Sequence, residues 1–401
     1  MATRKITEDI IYVGGSDSRE PTFENFIPTP RGMAYNSYLL LDEKTVLFDT
    51  ADKSILSLFF TNLENALGDR KLDYLFITHM EPDHTEAIED LLVRHPEVTI
   101  VLNKTSLKML NNFLGRDMKD KTIIVDPSSK FSSGKHSFKF INAPFVHWPE
   151  VMFVYDEYSK ILFSADTFGS FGANFGNLFD DEITLDNYYF EEQRRYYANV
   201  IGKFGKFVCK SIDSVSDLDI KMVCPLHGVI WRSHFDLLLK RYSLWSQYLP
   251  ESNDIIIIYN TLYNHTSDFC YDIATKLAER GVKNIKMYDV SKTDLTFLIS
   301  EVFRVKNILI AATTYNANLY PIMKNFLHDM AALNVQNRNV AIIENGTWAP
   351  VSGKRVIDLI SKMPNMNIIN TPVKLMSRYN AERNEVETKE LIDKLVDLYN
   401  K

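Results

Sequence analysis

Cysteine is scarce in this chain, and its three residues, Cys209, Cys224 and Cys270, lie far apart with no C-x-x-C pair among them. That spacing argues against a disulfide framework, a zinc finger or an appended rubredoxin-type iron module. Long apolar runs are missing too: none approaches the roughly 20 residues a membrane span needs. The first eight residues, Met1 to Glu8, lack the apolar core of a signal peptide. Basic excess is also absent, since a net charge of −7 and an isoelectric point near 5.8 leave no electrostatic footprint for nucleic acid. The expectation is a soluble, cytoplasmic protein without nucleic-acid or membrane partners. At 401 residues it is long enough for two domains, each with its own core.

The stretch richest in chemistry runs from Leu72 to His84. Asp73 to Thr78 reads as a short buried strand. It leads straight into His79, Glu81, Asp83 and His84, with Pro82 expected to stop regular structure. Thr85 to Val93 then shows apolar residues at helical spacing. Taken singly, each polar residue has an ordinary explanation. Asp83 and Glu86 match a capping box, Glu81 is free to be exposed, and His79 to be a satisfied core histidine. Four such groups within six residues instead form a converging set that suits a metal.

Three later segments repeat the same arrangement, an apolar strand delivering a polar side chain at its end. Ser137 to Asn142 leads to His147, Lys160 to Ala165 leads to Asp166, and Lys221 to Leu226 leads to His227. Strand-end loops on a rigid scaffold are where sites are commonly built. Upstream, Ile10 to Val13 is a short strand, and Tyr35–Leu41 with Thr45–Asp49 reads as a hairpin. Short strands in series point to packed sheets in this half.

From Asp254 onward, strands and helices alternate. Strands are expected at Ile255–Tyr259, Asn284–Tyr288, Asn307–Ala311, Val340–Glu344 and Asn367–Asn370. Helices are expected at Thr266–Arg280, after Pro321, and at Glu387–Tyr399, with Gln247–Asn253 as the linker. Five such units predict a doubly wound parallel sheet of flavodoxin type, binding its ligand beyond the carboxyl ends of the strands. The first loop there, with Thr261, Leu262, Tyr263, Asn264, His265 and Thr266, resembles a flavodoxin phosphate loop. Asn264 stands where glycine is usual, and asparagine tolerates the left-handed region. Thr313, Thr314, Tyr315, Asn316 and Ala317 match the isoalloxazine-contacting loop, and Asn345, Gly346, Thr347 and Trp348 form a third loop, with Trp348 placed to stack on a flavin.

The pattern H-x-E-x-D-H followed by His147, Asp166 and His227 resembles the metallo-β-lactamase-like core of the flavodiiron proteins (A-type flavoproteins). The resemblance covers essentially the whole chain. It implies an αββα sandwich over residues 1–249 and a flavodoxin-like, FMN-binding domain over residues 253–401. It further implies one iron held by His79, Glu81 and His147, a second by Asp83 and His227, and Asp166 between them. His84 is either a ligand or a hydrogen-bond partner of one. Hydrolases of this fold carry histidine where Glu81 stands, and a hard carboxylate oxygen there favours iron over zinc. The implied activity is reduction of O2 to water, of NO to N2O, or both. The implied assembly is a head-to-tail homodimer or a dimer of dimers. The implied donor is a separate rubredoxin, or another small carrier such as reduced deazaflavin, with no direct NADH oxidase activity. Competing readings are a dizinc hydrolase, an electron-transfer flavoprotein with a vestigial metal site, and a non-enzymatic scaffold.

Overall fold

The computed structural model describes residues 3–19 and 22–401, so Met1, Ala2, Glu20 and Pro21, and with them the very start of the N-terminal reading, lie outside the described residues. The chain forms two compact units. The first comprises residues up to Tyr197 together with Phe204–Ser243, and the second comprises Ala198–Lys203 and Leu244–Lys401.

In the first unit, one sheet has the strand order Arg4–Lys5, Ile10–Tyr12, Tyr38–Leu41, Thr45–Phe48, Tyr74–Phe76, Thr99–Leu102, Thr122–Ile124. It is antiparallel up to Thr45–Phe48 and parallel beyond it. A second sheet runs Phe131–Ser132, Ser137–Asn142, Met152–Asp156, Ile161–Phe163, Met222–Cys224. The period of two sorts the side chains. Tyr38, Leu40, Val46 and Phe48 meet Phe138, Phe140, Val154 and Phe163 in one core between the sheets. Phe48 and Phe163 stack across it with ring centroids 3.7 Å apart. Leu39, Leu47 and Leu75 alternate out of that cluster and are also fully buried, with the helix Leu56–Leu67 packed against the strand Tyr38–Leu41. A sheet covered on both faces is what an αββα sandwich requires. The first hairpin differs from expectation in one respect. Met33–Tyr35 is a separate strand paired with Gly15–Asp17, and the hairpin proper begins at Tyr38. The break lies at Asn36, whose amide donates to Pro225 O and Gly228 O, both at 2.9 Å.

The second unit is a parallel sheet ordered Lys286–Asp289, Ser252–Tyr259, Val305–Tyr315, Asn339–Asn345, with Asn367–Ile368 and Val373–Leu375 both alongside Asn339–Asn345. The Ile255–Ile258 run is wholly buried, worth about 2 kcal/mol of transfer free energy per side chain. Helix His265–Glu279 turns Phe269, Ile273 and Leu277 inward and is followed by Gly281 at φ +87°. This is the flavodoxin-like order expected. Two boundaries are corrected. The fifth strand breaks after Ile368 and resumes at Val373, and the Asn370 side chain bridges the gap by bonding both Ile342 N and Ile342 O at 2.9 Å. The closing helix starts at Ala381, because the Asn380 side chain accepts from Arg383 N and caps it. The stretch Gln247–Asn253 is anchored: Tyr248 is buried, and Ser252 and Asn253 already belong to a strand.

Candidate metal and cofactor sites

Strand Tyr74–Phe76 delivers the loop that carries His79 and Glu81, and Pro82 then opens the short helix Pro82–Thr85. Pro82 therefore starts regular structure instead of ending it. At the first helical position its missing N–H costs nothing, because that N–H has no intrahelical partner. The consequence is that Asp83 and His84 project from one helical turn. The capping box does not form: Glu86 closes that turn, and both Asp83 oxygens lack a hydrogen-bond partner.

Buried polar groups hold the loop from behind. Asp49, at φ +51° after the strand Thr45–Phe48, accepts from Thr78 N and Thr78 Oγ1, and more distantly from His79 N at 3.4 Å. Burial pushes its carboxyl up to about 6 against these bonds. Glu150 Oε1 lies 2.8 Å from both His79 Nδ1 and Met80 N. Thr50 donates twice to His84 O. His227 Nδ1 donates to Ala34 O at 2.7 Å. These contacts assign the ring proton of His79 and His227 to Nδ1 and leave Nε2 free to bind a cation.

The seven residues picked out in the sequence converge as two groups, His79–Glu81–His147–Asp166 and Asp83–His84–His227. Glu81 Oε2 lies 3.2 Å from His79 Nε2 and 3.0 Å from His147 Nε2. Asp83 Oδ2 lies 3.3 Å from both His84 Nε2 and His227 Nε2. Asp166 faces both groups. Its Oδ2 is 3.3 Å from His147 Nε2 and 3.6 Å from His79 Nε2, and its Oδ1 is 3.2 Å from His84 Nε2 and 3.5 Å from His227 Nε2. Neither Asp166 oxygen has a hydrogen-bond partner. Buried polar atoms are normally satisfied, so two buried carboxylates, Asp83 and Asp166, with orphaned oxygens amid imidazole lone pairs call for cations. The field points the same way. Burial works against charge on His79, yet Asp166, Glu150 and Glu81 together hold its pKa well above the ordinary value. His84 and His147 reach about 9 for the same reason, against the same burial. Asp166, despite burial, is held well below the ordinary carboxylate range by His79 and His227.

Rings close the surroundings: Phe23, Tyr35 and Tyr196 each lie 5.7 Å from His227, and Trp148 lies 5.4 Å from His79. A cavity of about 540 Å³, lined among others by Phe23, Tyr35, Lys53, Glu81 and Asp83, reaches the ligands from outside. Asp49, Glu150 and Tyr196 were missed in the sequence. Asp49 repeats the strand-end pattern, and Glu150 follows His147 by three residues, so both carried a signal; Tyr196 carried none.

In the second unit, a cavity of about 130 Å³ is lined by Thr261, Leu262, Tyr263, His265, Thr266, Thr313, Thr314, Asn345, Gly346 and Thr347, with Ser377 in addition. Asn264 takes the left-handed conformation, φ 68°, as N-cap of the helix His265–Glu279, and its side chain makes no capping bond. The first-turn N–H groups are left without a side-chain cap, and Thr261 Oγ1 is buried without a partner, as an anion cradle requires. Tyr315, Asn316, Ala317 and Trp348 do not line this cavity. Asn316 and Ala317 form the left-handed tip joining Val305–Tyr315 to Asn318–Leu319, and Trp348 is 81% exposed. Ser377 was missed because it follows the resumed half of the broken fifth strand.

A family model described as ODP family beta lactamase matches residues 33–228. An uncharacterised protein of Methanocaldococcus jannaschii is 32% identical over 360 residues, covering 90% of this chain and 89% of that one. The anaerobic nitric oxide reductase flavorubredoxin of Escherichia coli is 28% identical over 348 residues, covering 86% of this chain and 72% of that one. Among solved structures, rubredoxin oxygen:oxidoreductase from Desulfovibrio gigas superposes with a TM-score of 0.92 at 24% identity, covering 99% and 98% of the two chains. Among the described residues, no helix is long and apolar enough to cross a membrane.

Proposed function

The chain belongs to the flavodiiron family of oxidoreductases, and on that footing we propose that it reduces O2 to water, NO to N2O, or both, at two irons supplied with electrons by FMN. The observation that carries this reading is Asp166, which turns one oxygen to each of two buried ligand groups. His79, Glu81 and His147 would hold one iron, and Asp83, His84 and His227 the other. His84 joins the second set because its Nε2 lies among Asp83, Asp166 and His227, 3.1 Å from His227 Nε2. The mixed nitrogen and oxygen donor set, with Glu81 as a hard ligand, suits iron. Bound iron supplies Lewis acidity and a change of redox state, and bound FMN supplies electrons singly or in pairs, four being needed to take O2 to two waters and two to couple a pair of NO into N2O and water.

The rest is done by the chain. Glu150 and Ala34 O aim the imidazoles, Asp49 holds the loop, and the rings of Phe23, Tyr35 and Tyr196 keep the His227 side dry. FMN would lie over the loops at Thr261–Thr266, Thr313–Ala317 and Asn345–Trp348, with its phosphate on the helix His265–Glu279. A rubredoxin-type donor and a head-to-tail homodimer complete the proposal, with sedimentation and donor-coupled turnover as their tests. The test of the whole is metal and flavin content followed by anaerobic stopped-flow against each gas. Two irons and one FMN per chain with rapid reoxidation by O2 or NO support it and name the substrate. Zinc without flavin overturns it in favour of a hydrolase.

A further inference from the structure

The phosphate end of the proposed flavin site contains a chain of hydrogen bonds that runs from an arginine to the cavity. Arg378 Nε donates to His265 Nε2 at 3.1 Å, and His265 Nδ1 lies 2.8 Å from Ser377 Oγ. A guanidinium has only donors to offer, so His265 Nε2 must accept. The imidazole proton is thereby placed on Nδ1, where it donates to Ser377 Oγ. That bond uses a lone pair of the hydroxyl and leaves the Ser377 proton for another acceptor. Thr266 is set up in the same way from a different direction. Ser377 N donates to Asn345 Oδ1 at 3.1 Å, which fixes the orientation of the Asn345 amide, and Asn345 Nδ2 donates to Thr266 Oγ1 at 3.0 Å. Ser377 and Thr266 line the same cavity, as does Thr261, whose buried Oγ1 has no partner.

Ser377 and Thr266 therefore present hydroxyls that each already accept a hydrogen bond from within the chain and keep the proton free for a ligand, and Thr261 adds a third, unpartnered hydroxyl. Such a lining fits a group that only accepts hydrogen bonds, a phosphate monoester above all, and fits poorly the free hydroxyl of a sugar chain, which must also donate. The chain starts at a fixed positive charge, which polarises each successive donor toward the cavity.

Resting on the FMN reading above, we infer that Arg378 and His265 are positioning residues that make Ser377 an obligatory donor to the flavin phosphate, so that this chain discriminates FMN from riboflavin through a relay that links the phosphate loop to Ser377 and Arg378 beyond the fifth strand. The test uses the full-length protein stripped of flavin and titrated with FMN and with riboflavin. Arg378→Met and Ser377→Ala are each expected to weaken FMN binding roughly tenfold and to leave riboflavin binding within about twofold, which also verifies the fold of each variant. The double variant is expected to bind FMN no more weakly than Ser377→Ala alone, because Arg378 acts through Ser377. Equal losses for both flavins, or additive losses in the double variant, overturn the relay; additivity would mean that Arg378 acts by direct charge. A wild-type chain that takes up neither flavin removes the FMN reading itself, a result distinguishable from either.

Discussion

The carboxylate of Asp49 takes both the backbone N–H and the hydroxyl of Thr78, at 2.8 and 2.6 Å, one residue before the first candidate metal ligand. The pair couples the end of one strand to the loop leaving its parallel neighbour, so the position of His79 is set by a residue that belongs to neither candidate ligand group. Asp49→Ala is expected to lower iron affinity by roughly 10–100-fold while the sandwich stays folded. Chelator competition measures it, with circular dichroism as the control; unchanged iron retention would mean Glu150 suffices.

Position 81 is expected to decide the metal. Glu81→His gives the H-x-H-x-D-H pattern of the hydrolases, exchanging a hard oxygen for an imidazole. Protein grown in the same medium should then carry a higher zinc-to-iron ratio and lose at least about tenfold in gas reduction. Metal analysis by mass spectrometry decides it, and a stable complement of two irons would sink the idea.

Asn264 is expected to matter by conformation, since its side chain makes no capping bond. Asn264→Gly keeps the left-handed φ of 68° available and should change stability by less than about 1 kcal/mol. Asn264→Val places a β-branched residue there, at a cost of about 1–2 kcal/mol, and should weaken FMN binding. Fluorescence titration of both variants checks this, and equal FMN affinity for the two would refute it.

Arg338 is buried and gives its guanidinium to Val302 O, Phe303 O, Tyr248 O and Gln336 O, all within 2.8 Å. Two of those carbonyls end the helix Leu295–Arg304, where a cation is favoured. Arg338→Met strands several buried acceptors at once, so a loss of about 3 kcal/mol is expected for the flavodoxin-like unit. Urea denaturation followed by circular dichroism is the measurement, and a midpoint like that of the wild type would contradict it.

His136 bridges two carboxylates, Asp156 at 2.7 Å through Nδ1 and Asp9 at 3.2 Å through Nε2, with Lys135, Asp42 and Tyr158 nearby. Burial opposes its charge, but Asp156 and then Asp9 outweigh it, and its pKa is raised. A raised folded pKa means stabilisation that is complete below about pH 6.5 and fades as pH rises through the folded value. Asp9 is lowered, chiefly by Lys135 and His136, so its own contribution fades only in acid, below about pH 4. His136→Gln should cost about 2 kcal/mol at pH 6, and the difference from wild type should shrink toward pH 9. A pH-independent difference would show that only packing is at stake.

The elements themselves could be read from local pattern. Alternation marked Ser137–Asn142 to its ends, the isoleucine run marked the first strand of the second unit, and Pro321 marked a helix start. Where the reading failed, a local rule met a tertiary one. Pro82 reads as a breaker in sequence, because nothing local shows that its N–H would have been unpaired anyway. The fifth strand was misplaced because Asn370 substitutes its side chain for a backbone position, and only the neighbouring Ile342 reveals that.

The candidate ligands were recoverable for a similar reason: each sits at the end of a strand, and a strand's direction and alternation are properties of a few consecutive residues. The same holds for Asn264, whose left-handed conformation is a preference of the residue. What local pattern does not contain is the pairing of groups far apart in the chain. Glu150 reaches His79 across 71 positions, Ala34 O reaches His227 across 193, and Asp166 divides its oxygens between groups supplied by both sheets. Those contacts depend on the register and packing of whole sheets, a cooperative result of burying the aromatic core between them. The identities and order of the candidate ligands are thus a matter of sequence. Their grouping into two sets around one shared carboxylate belongs to the tertiary fold, because only packing the two sheets together brings these distant strand ends within coordination distance.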